Sequence, residues 1–181
     1  AQRLGWLAQL AASQDPNGPQ PLWDRPLDDP LNSRFVRRRM DAFLNPLEAR
    51  AAADGFPATH YVGVAGVGPD AAQLPKTHPR AGIFGIGRQT TVDDVADGLS
   101  NTLLIVGIAD HPVPWAADGD RTIRPFTQEP YVNGPDQFGT GQPDGMFVAM
   151  ADGSVRFVSR DMSGVVWRRM AAMADGLPLD S

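Results

Sequence analysis

With 181 residues, no cysteine, and 16 basic against 21 acidic side chains for a formal charge of −5, the chain is long enough to bury one core. Disulfides, a thiolate nucleophile and Cys-ligated metal centres are excluded. The acidic balance argues against nucleic acid or an anionic lipid surface as the main partner. Seventeen prolines and nineteen glycines predict a loop-rich globular domain, read here as a single unit over 1–181.

Residues 1–12 place Leu4, Leu7, Ala8 and Ala11 at helical spacing and predict a helix that stops before Ser13-Gln-Asp-Pro-Asn-Gly-Pro, which is all turn chemistry. Three prolines make 21–30 extended, with Trp23 and Leu27 as anchors. An Asn32 or Ser33 cap then starts a helix expected to run to about residue 44, turning Phe35, Met40, Phe43 and Leu44 inward and Arg34, Arg37, Arg38 and Arg39 outward. Residues 60–67 and 81–87 read as glycine-broken strands, and Thr91 as the cap of a short helical turn. The run 102–108 is apolar on both faces and should be the central strand. Residues 111–141 form a long Pro- and Gly-rich loop, expected to be ordered and to carry contacts; Trp115 and Phe138 would fold back over the hairpin described next, leaving Tyr131 exposed near a tip.

The clearest local signal is Asp152-Gly153 between two alternating apolar runs in 145–158. A two-residue turn there pairs Met150 with Val155, Val148 with Phe157 and Met146 with Ser159, so that Met146, Val148, Met150, Val155 and Phe157 share the buried face. Ser163 then caps a helix over 165–174 and Gly176 stops it. The fold class that follows is α+β, an antiparallel sheet built around 102–108 and the hairpin, with helices packed on it.

Candidate chemistry is sparse. Gly63, Gly66 and Gly68 do not have dinucleotide-loop spacing, and Pro69 and Pro75 stand where a helix should follow, so close strand packing explains them. His60, His78 and His111 lack metal-ligand spacing. Asp93, Asp94 and Asp97, or Asp118 and Asp120, lack the loop length and closing Glu of a calcium site and suit turns and caps. Ser100 and Ser154 lie outside any Gly-x-Ser-x-Gly setting. No catalytic, metal or cofactor-binding residue is assigned, and no cofactor is expected.

Five blocks carry a resemblance: Thr59-His-Tyr-Val-Gly-Val-Ala-Gly-Val-Gly-Pro-Asp70, Arg80-Ala-Gly-Ile-Phe-Gly85, Asp97-Gly-Leu-Ser-Asn-Thr102, Pro114-Trp-Ala116 and Ala151-Asp-Gly-Ser-Val-Arg-Phe157. Together they resemble a large planctomycete prepilin-type family of unknown function, marked by a C-terminal His-x9-Asp-Gly motif. The resemblance implies a pilin-like head behind a leader and a hydrophobic stem helix, of which residues 1–12 would be the remnant. It also implies export across the inner membrane. Two positions depart from the pattern: the motif His falls on Gln142, and a common Cys-Pro is Asn45-Pro46.

The expectation is therefore a non-catalytic structural or interaction protein, the extracytoplasmic head of a pseudopilin-like subunit that meets protein partners. Its membrane contact would come only through a segment upstream of Ala1. A peripheral subunit docked on a larger membrane complex is the alternative, and a hydrolase or carbohydrate-binding protein the third reading. Asp97, Gly98, Ser100, Asn101, Asp152 and Gly153 are expected to shape turns, and Tyr131, Arg37 and Arg38 to form an interface.

Overall fold

A computed structural model describes residues 3–48 and 51–179. Its elements in chain order are α1 (Trp6–Gln14), α2 (Ser33–Val36), β1 (Ala52–Ala53), β2 (Phe56–Thr59), β3 (Tyr61–Val67), β4 (Leu103–Gly107), β5 (Val113–Pro114), β6 (Ile123–Phe126), β7 (Gly145–Met150), β8 (Val155–Ser159) and α3 (Gly164–Ala171), with short 3-10 turns between them. The fold is α+β. Where the sequence reads as one unit, the chain divides into two compact units: residues 1–61 with 111–122, and 62–110 with 123–181.

The first unit packs α1, α2 and a three-stranded sheet of order β1-β2-β5 around Trp115, which is fully buried against Phe35 and Phe43. Trp115, expected from the sequence to cover the β-hairpin, is instead central to this core. Helix α1 begins only at Trp6. Leu4 bridges Ala117, and the Gly5 N–H donates to the Ala116 carbonyl at 3.0 Å. A Cβ at Gly5 would lie 2.2 Å from the Ala117 oxygen, so the chain enters the helix from an extended segment that only glycine fits. Residues 1 and 2 of the expected helix lie outside the described residues. The helix expected over 33–44 breaks after Val36 and resumes only as a 3-10 turn at Asp41–Phe43. Tertiary bonding claims a carbonyl that a continuous helix would need, since Trp115 Nε1 donates to Arg38 O at 3.0 Å.

The second unit is a five-stranded sheet of order β6-β3-β4-β7-β8. As expected, the strand over 102–108 is central. The sheet is mixed and not purely antiparallel: β3 and β6 run parallel, while β4–β7 and β7–β8 are antiparallel. Strand β6 lies inside the segment read as a loop. The expected strand over 81–87 reduces to a single bridge between Ala81 and Gly66, since the chain there crosses β3 too closely for side chains. A Cβ on Gly82 would meet Gly66 N at 2.5 Å, and one on Gly63 would meet the Phe84 ring at 2.5 Å. Helix α3 is capped by Ser163, whose Oγ accepts the Val165 N–H, but ends at Ala171 and not at 174. Met173 leaves the helix to donate to Ala81 O and to accept from the Asp97 N–H. The core joins Val62, Val64, Leu103, Val106, Met146, Val148 and Met150 of the sheet to Phe126, Tyr131, Phe138 and Trp167.

The β7–β8 hairpin differs from its expected register by one residue. Phe147 pairs with Phe157 and Val148 with Arg156, and Met150 closes on Ser154 across a three-residue loop. Met146, Val148 and Met150 are buried as expected, but Val155 and Phe157 lie on the solvent side and Val158 is the buried residue of β8.

Candidate functional site

The turn residues singled out in the sequence fall into one structural group. Gly98 takes φ +93° and Gly153 φ +84°, in the left-handed region that glycine adopts without strain. Asn101 Nδ2 donates to Asp97 O, and Thr102 Oγ1 to Gly98 O, at 3.1 and 3.0 Å. The hairpin tip docks on this turn through Ala151 N–H to Thr102 O and Asp152 N–H to Leu99 O. Asp152 in turn accepts both the N–H and the hydroxyl of Ser154, which lowers its pKa. Ser100 is exposed at the same turn.

Asp97 does more than turn the chain. Its two carboxylate oxygens accept the N–H groups of Asp175 and Gly176 at 2.7 and 2.9 Å, tying down the segment after α3. Burial and the neighbouring Asp97 raise the Asp175 pKa. These contacts hold the fold together, and no spacing in the sequence announces a partner 78 residues away. Asp94 serves as a cap, closing a capping box with Thr91 and pairing with Lys76, which holds its pKa at about 2. Asp70 is held at about 2 in the same way by Arg80. Asp118 accepts the Gly119 N–H as a cap, and the Asp120 side chain lies outside the described residues. Among the described residues, no three His, Asp or Glu side chains gather as metal ligands.

The two positions singled out in the resemblance, Asn45 and Gln142, both have local partners. Asn45 is buried, donates its N–H to His60 Nδ1 at 2.9 Å and accepts from Leu47 N–H through its side chain. Gln142 accepts from the Thr140 hydroxyl through its side chain and from Asn133 Nδ2 through its carbonyl.

Of the expected interface residues, Arg37 is open to a partner. Its guanidinium lies 5.0 Å over the Phe56 ring and donates to Gly55 O, on the wall of an open groove of about 460 Å³ that Arg39, Ala52 and Pro57 also line. Arg38 points the other way: it pairs with Asp15 at 2.9 Å and lies over Phe35, so its charge is spent inside the first unit. Tyr131 corrects the sequence reading outright. It is 5% exposed, packed edge-on against Phe126 at 5.2 Å, and its hydroxyl accepts from Arg168. The turns on either side aim it inward because Phe126, Phe138 and Trp167 offer an aromatic cluster to fill.

Among the described residues, three aromatic side chains are about half exposed, Trp23 in the first unit, where the sequence suggested an anchor, and Phe147 and Phe157 in the second. Phe147 and Phe157 sit opposite each other with ring centroids 5.3 Å apart, beside the more exposed Val155. Phe157 also covers Gly145, where a Cβ would lie 2.5 Å from its ring. Phe157 lies on β8, the outer strand of the sheet, whose edge is open, and Phe147 lies beside it on β7. The sequence reading missed this pair by placing Phe157 in the core. The signal lay in the hairpin register, which turns on one loop residue.

Turns braced by backbone bonds, a mixed sheet and an aromatic edge define an α+β domain with surfaces suited to contact. A family model described as a protein of unknown function (DUF1559) matches residues 41–163, more than half of the chain, so the chain belongs to that family. The match takes in β1 to β8 and leaves out the three helices. No curated protein and no solved structure matches the chain.

Proposed function

We propose that this protein is a non-catalytic structural or interaction protein, the extracytoplasmic head of a pseudopilin-like subunit. The observation that carries the reading is the Phe147–Phe157 pair, set half-exposed across the last two strands of a sheet whose β8 edge is open. Aromatic side chains in water at an unpaired strand are what protein interfaces cover. The five sequence blocks shared with prepilin-type proteins support export and anchoring through an upstream helix. Among the described residues no helix is long and apolar enough to cross a membrane. The test is a Phe147→Ser/Phe157→Ser double variant expressed in the native cell with its own N-terminus. It should reach the surface, unfold at the wild-type midpoint, and lose its cross-linked assemblies. Unchanged assembly would sink the proposal, and turnover in a broad substrate screen would overturn its non-catalytic part.

Arg37 favours a second reading, in which the chain docks peripherally on a larger membrane complex. Its guanidinium is exposed, stacked and without a carboxylate partner among the described residues. A stoichiometric partner that co-purifies at low salt, and is lost at high salt or on Arg37→Ala, would establish it.

A further inference from the structure

The edge strand β8 carries enough detail to name its partner. Along the β7–β8 ladder, Met150 N–H donates to Ser154 O and Arg160 N–H to Asp144 O, each at 2.8 Å. Antiparallel pairs alternate between those that exchange hydrogen bonds and those that do not. In the observed register, Val155, Phe157 and Ser159 therefore fall at the pairs that exchange none with β7. Their N–H and C=O groups point away from the sheet, to the open edge.

We infer that this edge receives the β8 strand of a second copy of the chain, paired antiparallel about a two-fold axis at Phe157. The inference rests on the reading of the hairpin as an interaction surface. Phe157 is the middle residue of the five in β8, so an axis there sets Phe157 opposite its own copy, Val155 opposite Ser159, and Arg156 opposite Val158. The outward groups of all three edge residues then find partners. On one face the Phe147 and Phe157 rings of both copies meet and leave water together.

Charge selects this arrangement. Arg156 meets Val158 and not itself, whereas a parallel in-register neighbour would stack Arg156 on Arg156 and Arg160 on Arg160. Arg160 is exposed and makes no ion pair among the described residues. In the two-fold register it lies opposite Ser154 of the other copy, whose hydroxyl is bonded to the Asp152 carboxylate. Arg160 of each copy thus comes beside Asp152 of the other, an opposite-charge contact made twice by symmetry.

The chain has no cysteine, so introduced thiols report on this edge alone. Val155→Cys and Ser159→Cys are made in separate samples of the full chain, both at exposed positions. A bonded antiparallel pair separates Cα atoms by about 5.5 Å, inside the range a disulfide spans. Like positions would be offset by four residues, about 13 Å, outside it. Oxidising the mixture should give a covalent dimer, and oxidising either variant alone should not. Absence of the dimer from the mixture at the highest attainable concentration would overturn the inference, as would a Val155→Cys dimer formed equally well alone. Loss of native assembly in Phe147→Ser/Phe157→Ser without this cross-link would mean that another protein covers the edge. The functional reading would then survive and the self-pairing would not.

Discussion

The chain makes two hairpins on the same dipeptide and builds them differently. At Asp54-Gly55, φ is +50° and +77°, the loop is two residues long, and Ala53 pairs directly with Phe56. At Asp152-Gly153 only Gly153 has positive φ. Its N–H donates to Met150 O at 3.0 Å and Ala151 joins the loop, giving the type I turn with a glycine bulge that three-residue hairpins use. The first hairpin's turn is held by two arginine side chains, Arg121 paired with Asp54 and Arg37 donating to Gly55 O. The second is pinned at Ala151 and Asp152 to the turn over 97–102. An Asp-Gly pair thus specifies that the chain reverses, while the amides around it settle how many residues the reversal takes. One residue of loop length moves every side chain of β8 to the other face.

The largest test of the contrast lies in what each hairpin buries. Met150→Ala should lower the unfolding free energy by about 2–5 kcal/mol in urea, because Met150 is fully enclosed in the second core. Phe56→Ala should cost about 1–2 kcal/mol, since Phe56 is half-buried and packs only at the margin of the first. Equal losses would mean the two hairpins are anchored alike.

Next come the turn glycines. Nothing lies within 4 Å of a Cβ at either Gly55 or Gly153, so Gly→Ala there isolates backbone strain, about 1–2 kcal/mol at each site. A loss only at Gly55 would show that the second loop relaxes into another turn. Deleting Ala151 asks the converse question. Met150 and Ser154 would then flank a two-residue Asp-Gly loop in the same register, for the loss of the 2.9 Å bond to Thr102 O, about 0.5–1.5 kcal/mol. Solvent-exchange and contact maps should still show Met150 buried and Phe157 open. A slipped strand with Phe157 buried would put the register under the control of the turn.

A smaller effect comes from acid. The Ser154 hydroxyl and N–H, with Arg156 nearby, keep the Asp152 pKa below the ordinary carboxylate value. Because the folded value is the lower one, the turn gains stability above the unfolded pKa and loses it as pH falls through the folded one. Protection of the Ser154 amide, its exchange relative to the intrinsic rate at each pH, should therefore fall below pH ~4, and Asp152→Asn should remove that dependence.

Periodicity made β3, β4 and β7 legible, and cap chemistry placed Thr91 and Ser163, because those signals are local. What the sequence hid was non-local. Strand β6 is four residues with Pro125 inside, and becomes a strand only by lying parallel to β3. Strand β1 has two residues, too few to alternate. Tyr131 sits among prolines and glycines that look like a loop tip, and its burial depends on Phe126 and Trp167 arriving from elsewhere. Asp97 and Asp152 were readable as turn formers, but not as the two sides of one docked contact.

The smallest stability effect is expected at Phe157, and it bears most on function. A half-exposed ring on an edge strand gives up little on truncation, so Phe157→Ser should leave the monomer within about 0.5 kcal/mol of wild type. Part of that small change comes from uncovering the Gly145 backbone and part from the Phe147 contact. Phe147→Ser/Phe157→Ser should therefore be less than the sum of the single changes, since the two rings share one contact. Thermal unfolding of the four proteins closes this cycle, and self-association measured on the same samples reads the other quantity. Stability nearly constant with association lost is the pattern of a surface kept apolar for a partner. A multi-kcal loss of stability on Phe157→Ser would instead make the ring part of the core, and the edge would have no aromatic contact left to offer.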